Sequence, residues 1–100
     1  MHKYKILLHD DAVEDLKIAL VYYRDISPSL EERFFKQVNL TLNELMRNPF
    51  YQIRYDNFRM KVIKKFPYVI HFIVDENEAK VYILGIRNSL QNPTTSYIKT

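Results

Sequence analysis

The sequence predicts an α+β fold: an N-terminal strand, then an antiparallel helical hairpin packed on one face of a mainly antiparallel sheet of four to five strands. Two successive segments in the first half repeat apolar residues at helical spacing, which predicts the hairpin. Segments of the second half alternate between polar and apolar residues or are continuously apolar over strand lengths, which predicts the sheet. One domain over residues 1–100 is expected, because 100 residues is an ordinary domain size and no linker-like segment interrupts the chain.

The first strand and the first helix are predicted from residues 5–24. Residues 5–9 are expected to form a short first strand, and residues 4–8 are a short apolar run with charged residues on both sides. Asp11 and Glu14 have the spacing of a capping box, so Asp11 is expected to cap the first helix. The apolar stripe of this helix is expected to contain Val13, Leu16, Leu20 and Tyr23.

The second helix has a clear start and a clear end. Ser27 is a favourable N-cap residue, and Pro28 is suited to the first helical position, where its missing N–H costs nothing. Asn48-Pro49 is expected to end the helix. Its stripe is predicted to contain Leu30, Phe34, Val38, Leu42 and Leu45. Because the join between the helices is short, the two should form an antiparallel hairpin.

Three further strands are expected after the helices. In residues 59–64, Arg59, Lys61 and Ile63 alternate with their neighbours and so share one face. Residues 69–74 are almost continuously apolar, which is typical of a central strand, and residues 80–86 follow a polar turn. The element order is therefore β-α-α-β-β-β.

Composition limits the classes of function. The chain has no Cys, which excludes disulfides and thiolate chemistry, and no apolar segment approaches the length of a membrane span. We expect a cytoplasmic protein without a signal peptide and without membrane association. Residues 51–100 contain eight Lys or Arg and four Asp or Glu, and five of the eight basic residues lie in residues 54–65. Such a cluster favours an anionic partner, either nucleic acid or an acidic protein segment; a solvated strand face is the alternative.

Short motifs occur in a fixed order over nearly the whole chain. They are Ala12-Val-Glu-Asp-Leu16 with Tyr22-Tyr23, then Ser27-Pro28 through Arg33-Phe34, then Leu42 to Asn48-Pro49-Phe50, then Ile53 to Arg59 and Lys65-Phe-Pro-Tyr68, and last Ile83-Leu-Gly-Ile86 with Asn92-Pro93. The most specific combination is Phe66-Pro67-Tyr68 between two strands together with the two Asn-Pro pairs. In these motifs the chain resembles the RelE/ParE superfamily of toxins from type II toxin–antitoxin systems, which includes plasmid stabilisation proteins.

This resemblance implies a small bacterial toxin that a cognate antitoxin, acidic or amphipathic, wraps and neutralises. Members of the superfamily have two activities. RelE-like toxins cut messenger RNA on the ribosome, whereas ParE-like toxins inhibit DNA gyrase and are not nucleases. A degenerate member that acts only as a binding module is a third possibility. A dimer or a toxin–antitoxin hetero-oligomer is also compatible with the resemblance.

The resemblance also implies candidate catalytic residues. RelE-like enzymes use basic residues of the strands and residues near the C-terminus to activate a ribose hydroxyl and stabilise a phosphate. By position, Arg59 and Lys61 match the basic pair on the first strand after the helices. Arg87 and Tyr97 are the candidates nearer the C-terminus, Arg87 for electrostatic stabilisation and Tyr97 for proton donation or stacking. An alternative role for Arg59 and Lys61 is a solvent-exposed strand face.

The C-terminal segment departs from the RelE-like pattern. Many superfamily members have a His and then an Arg after the last strand, where this chain has Asn88 and Gln91. Asn cannot transfer a proton near neutral pH, and Gln has no charge to hold a phosphate. His71 lies in the most apolar strand and is expected to be a packed residue. These features favour ParE-like action on gyrase or another protein target.

Five residues are candidates for binding the antitoxin or the target: Arg54, Tyr55, Lys64, Lys65 and Tyr68. Aromatic and basic residues alternate in this region, which would suit stacking on bases, but a core with a hydrophobic groove for a partner is the favoured interpretation. The histidines are far apart in sequence, so no metal and no other cofactor is expected.

Overall fold

The computed structural model describes residues 3–50, 53–55 and 57–89, with the backbone alone at residues 53–55. The described elements are, in order, β1 (Lys5–Leu8), α1 (Asp10–Ile26), α2 (Pro28–Arg47), β2 (Ile53–Tyr55), β3 (Phe58–Ile63), β4 (Tyr68–Asp75) and β5 (Lys80–Asn88). The predicted α+β fold is confirmed. The sequence pattern predicts four of these strands, and β2 is the additional one.

The five strands form one sheet in the order β1-β5-β4-β3-β2. β1 pairs with β5 in parallel, from Lys5 beside Lys80 to Leu8 beside Ile83, and the other neighbours are antiparallel. The first strand of the chain therefore lies beside the last. β1 and β2 lie at opposite edges of the sheet, so the helical hairpin that joins them crosses over the sheet.

The start of α1 corrects the capping prediction. The N-cap is His9, not Asp11, and no side chain makes the capping hydrogen bond. The His9 N–H donates to the Ile83 carbonyl (2.9 Å), which holds His9 in extended geometry, and the His9 carbonyl accepts from the Val13 N–H (3.0 Å). The helix therefore begins directly after β1, and Asp11 lies in the first turn, where its charge is favourable to the helix dipole.

A single residue joins the two helices. Ser27 is the C-cap of α1 and the N-cap of α2, and Pro28 occupies the first turn as predicted. The Ser27 hydroxyl does not make the expected capping bond. The backbone carbonyl of Ser27 accepts hydrogen bonds from the N–H groups of Leu30 (3.0 Å) and Glu31 (3.2 Å). The chain thus reverses with almost no loop, which keeps both helices on the same face of the sheet.

The core lies between this helical hairpin and the sheet. The buried side of α1 consists of Ala12, Ala19 and Tyr23, while Val13, predicted to be in the stripe, is exposed. Small side chains at two of these three positions allow the α1 backbone to approach the sheet closely. The strands contribute alternate residues to the core: Ile63, Ile70, Phe72, Val81 and Ile83. None of the described helices is long and apolar enough to cross a membrane.

Four aromatic rings join both helices to the turn between β3 and β4. Tyr23 of α1 and Phe34 of α2 are 4.9 Å apart between centroids, and each also packs against Phe66 (5.2 and 5.1 Å). Tyr68 completes the cluster, 5.1 Å from Phe34. The motif Phe66-Pro67-Tyr68 is therefore the point where the turn is attached to the core.

Candidate functional site

The basic pair on β3 borders the helical layer. Arg59 and Lys61 share one face of the strand, as the alternation predicted, and the same face carries the buried Ile63. Lys61 Nζ is 3.4 Å from Glu44 Oε1 of α2. The Arg59 guanidinium lies 5.6 Å from the centroid of the Phe50 ring, within cation–π range. Lys61 therefore contacts α2 itself, and Arg59 contacts the segment that follows α2.

Arg87 lies in a different place, on the far side of β4. β1 pairs with β5 only as far as Ile83, and beyond it the edge of β5 faces α1. The Asp15 carboxylate of α1 accepts a hydrogen bond from the Ile86 N–H (3.0 Å) and lies 3.3 Å from Arg87 Nε. Since neighbouring strands are about 4.8 Å apart, β3 and β5 are separated by about 10 Å. Arg87 therefore lies two strands away from β3, the strand that carries Arg59 and Lys61.

The predicted binding residues Lys64 and Lys65 lie in the turn between β3 and β4, and both are exposed. Lys65 has a φ of 71°, the left-handed region. That conformation costs a residue with a Cβ about 1–2 kcal/mol relative to the right-handed form, and glycine avoids this cost. The lysine side chain is thus kept at a position where the backbone favours glycine.

Tyr68 belongs to the core: it is 8% exposed, and burial raises the pKa of its phenol above the usual 10. A hydrogen bond from the Asn88 side chain acts in the opposite direction and is the weaker influence on this pKa. Asn88, at the end of β5, lines a small cavity together with Arg87 and Asp15. The side chains of Arg54 and Tyr55, and the whole of Gln91 and Tyr97, lie outside the described residues.

His71 is a packed residue of the central strand, as expected. It is 1% exposed and lies opposite Gly85, whose missing side chain leaves room for the imidazole. Burial, and next the positive charge of Arg87, lower the pKa of His71 from 6.5 to about 4. The ring is therefore neutral at neutral pH and enclosed by the fold. Among the described residues, no three His, Asp or Glu side chains could together hold a metal ion.

Sequence reasoning missed two features of this region. One is Asp15, whose contacts to β5 link residues 71 positions apart. The other is a groove between α2 and the β3–β4 turn, to which α2 contributes Arg33, Lys36 and Leu40. The spacing of these α2 residues by three and four positions places them on one helix face, which was a usable signal. Only the position of the turn beside that face makes it a groove.

Solved structures with a similar fold include chains from two toxin–antitoxin systems. A chain of the chromosomal ParDE toxin–antitoxin system from P. aeruginosa superimposes with a TM-score of 0.73 at 17% identity, covering 88% of this chain and 98% of that chain. A chain of the RelBE toxin–antitoxin complex from Mycobacterium tuberculosis gives a TM-score of 0.59, also at 17% identity, with 88% and 93% covered. These likenesses define the fold class, that of the RelE/ParE toxins.

The family follows from the sequence match. The family model described as the ParE toxin of the type II toxin-antitoxin system, parDE, matches residues 6–93. The chain therefore belongs to the ParE toxin family of type II toxin–antitoxin systems, and the superfamily resemblance seen in the motifs is confirmed. No curated protein matches the chain significantly.

Proposed function

We propose that the protein is a toxin neutralised by a cognate antitoxin and that its target is DNA gyrase, not ribosome-bound messenger RNA. The observation that carries the proposal is the match to the ParE toxin family over residues 6–93. ParE-like action on gyrase is what the superfamily resemblance implies for such a chain. The arrangement of the basic residues supports the choice between the two targets.

Metal-free cleavage of RNA requires a proton acceptor, a proton donor and cations that converge on one phosphate. Here Lys61 contacts Glu44, and Arg87 contacts Asp15 on the other side of β4. His71 is enclosed in the sheet, with a pKa of about 4, so it is poorly suited to exchange protons with a substrate. These contacts favour a toxin that acts by binding a protein.

An antitoxin partner is supported by the outer face of α1. Ile18, Tyr22 and Ile26 are spaced by four residues and are all more than half exposed. Such spacing aligns them along one side of the helix, and an exposed apolar stripe is typical of a protein-binding surface. Tyr22 points outward while its neighbour Tyr23 is buried, as expected from helical geometry. A segment of the antitoxin is the proposed cover for this stripe.

The test compares two reactions with the same purified toxin. We expect the toxin to inhibit supercoiling by bacterial DNA gyrase, and an equimolar amount of antitoxin to restore it. In parallel, primer extension on translating ribosomes should show no new messenger RNA ends. Ile18→Glu should weaken antitoxin binding, whereas Lys17→Glu, an adjacent exposed change, serves as the control.

Each alternative has its own outcome. Strong messenger RNA cleavage that Lys61→Ala abolishes would replace the proposal with a RelE-like endonuclease. Antitoxin binding without gyrase inhibition and without cleavage would identify a binding module. Gyrase inhibition that the antitoxin does not relieve would contradict the proposed neutralisation.

A further inference from the structure

The side of α2 that faces the β3–β4 turn carries a row of cations. Two adjoining cavities, of about 580 and about 310 Å³, lie between the helix and the turn and share Gln37 and Lys65. Together they extend along α2 from Leu30 to Glu44, over which the helix rises about 21 Å. The cationic side chains that line them are Arg33, Lys36, Lys61, Lys64 and Lys65. We refer to these five residues as the basic row.

Most charges of the basic row are not neutralised by the fold. Among the described residues that line the two cavities, Glu44 alone is acidic, and it is paired with Lys61. Within residues 3–50 and 57–89, no ion pair involves the other four members. A row of like charges repels itself, so it is stabilised when an anion binds along it.

The length of the basic row indicates a polyanion. One phosphate or one carboxylate contacts two or three cations at most, whereas these cations are distributed along about 21 Å of α2 and the adjacent turn. Each strand of duplex DNA carries one negative charge per about 3.4 Å of helix axis. A duplex aligned with α2 therefore presents about six phosphates of one strand to the basic row.

The other lining residues favour a duplex over a single strand. Single-stranded nucleic acid is bound largely by stacking its bases on aromatic side chains. The one aromatic ring among the described lining residues, Phe66, packs in the core against Tyr23 and Phe34 (5.2 and 5.1 Å between centroids). It therefore offers little surface to a base. Cations without a stacking platform suit the sugar–phosphate backbone, where contacts carry no sequence information.

Lys65 occupies the middle of the basic row, because it lines both cavities. It is also held at a φ of 71°, where glycine is the residue without steric cost. Backbone strain of this kind clusters at binding and catalytic sites, where the side chain has a use that offsets it. Contact with a phosphate gives the Lys65 ammonium such a use.

We propose that the basic row binds the backbone of duplex DNA, independently of sequence, so that the toxin contacts the DNA held by its target as well as the enzyme. Four cations without an ion pair within the described residues provide about four phosphate contacts. The role in the target complex rests on the proposed function, whereas DNA binding by the toxin alone does not.

DNA binding is measured first without gyrase. The affinity of the full chain for a fluorescein-labelled duplex of about 20 base pairs is followed by anisotropy between about 50 and about 200 mM salt. Four contacts predict a slope of log affinity against log salt of about −3.6, which is a loss of about 150-fold over this range. A duplex of unrelated sequence should bind equally well. Amide shifts in the NMR spectrum should be concentrated at residues 33–44 and 61–66.

Lys65→Gly separates DNA binding from folding. Glycine removes the charge and relieves the positive φ, so Tm should stay equal or rise. Loss of one phosphate contact should make the salt slope shallower by about one and weaken binding about five-fold to ten-fold at about 0.1 M salt. Lys36→Ala should have the same effect on the slope. The matched control is Lys17→Ala, which removes an exposed lysine of α1 outside the basic row and should leave the slope unchanged.

The same variants are then compared in gyrase supercoiling assays. We expect the half-inhibitory concentration to rise about five-fold or more in Lys65→Gly and to stay unchanged in Lys17→Ala. Inhibition by Lys65→Gly that equals that of the unmodified toxin would overturn the role of the basic row in the target complex. DNA binding without any inhibition of gyrase would contradict the proposed function and would leave the DNA contact intact.

Three results of the binding experiments would overturn the DNA contact itself. The first is a salt slope shallower than about −2, which corresponds to about two phosphate contacts. The second is an equal slope in Lys65→Gly and the unmodified chain. The third is tighter binding of a thymidine single strand of the same length than of the duplex, which would indicate base stacking in place of backbone contacts.

Discussion

Replacing Asp15 tests how the edge of β5 is held beyond the end of β1. Its carboxylate accepts from the Ile86 N–H at 3.0 Å and contacts Arg87 at 3.3 Å. In Asp15→Ala the Ile86 N–H loses its acceptor in a partly buried setting, which costs about 1–3 kcal/mol. The Arg87 side chain is one-third exposed, so loss of the ion pair adds at most about 1 kcal/mol. Alanine has a better helix propensity than aspartate, which offsets roughly 0.5 kcal/mol of this loss.

The expected loss of unfolding free energy for Asp15→Ala is therefore about 0.5–3.5 kcal/mol. For a domain of this size each kcal/mol shifts Tm by about 4–8 °C, so the change should be readily measured. Asp15→Asn keeps an oxygen acceptor for the Ile86 N–H and loses only the charge, so it should cost about 1 kcal/mol or less. Arg87→Ala should resemble Asp15→Asn.

Urea unfolding at constant m-value, followed by circular dichroism, gives the required free energies. Hydrogen exchange at the Ile86 amide should accelerate in Asp15→Ala and much less in Asp15→Asn. Equal destabilisation by the two substitutions would show that the ion pair, not the hydrogen bond, dominates. A loss below about 0.5 kcal/mol in Asp15→Ala, which is typical of a neutral surface site, would refute the argument for this contact altogether.

Three other predictions follow from packing, backbone geometry and titration. Phe34→Ala removes a fully buried ring of the aromatic cluster and should lower the free energy of unfolding by about 3–5 kcal/mol, measured with denaturant. Ala79→Gly should raise Tm slightly, because Ala79 has a φ of 54°; a lower Tm would contradict the strain. The folded-state pKa of His71 is depressed to about 4, so the unfolded chain binds more protons between pH 4 and 6.5. The free energy of unfolding should be highest above pH 6.5 and fall by roughly 2 kcal/mol between pH 7 and 5. His71→Gln should reduce this pH dependence, measured by urea unfolding at each pH.

Local signals in the sequence determined the elements and much of their orientation. Ser27-Pro28 and Asn48-Pro49 set the limits of α2, because proline is accepted at a helix start and disfavours helix just before it. Alternation placed Arg59 and Lys61 on one face of β3, because successive strand residues point to opposite faces. The motifs also indicated the family, and the match over residues 6–93 confirmed it.

Tertiary structure alone decided where these elements meet. The pairing of β1 with β5 fixes the extended geometry of His9 and so moves the start of α1 ahead of the capping position expected at Asp11. Because β1 pairs with β5 only as far as Ile83, Asp15 of α1 contacts the end of β5. Arg87 is paired with Asp15 there, and β4 separates it from the basic pair on β3. The groove between α2 and the β3–β4 turn likewise exists only because the turn lies beside one face of α2. Such contacts join residues far apart in the chain, and neither helical nor strand periodicity contains information about which distant partner a given face will meet.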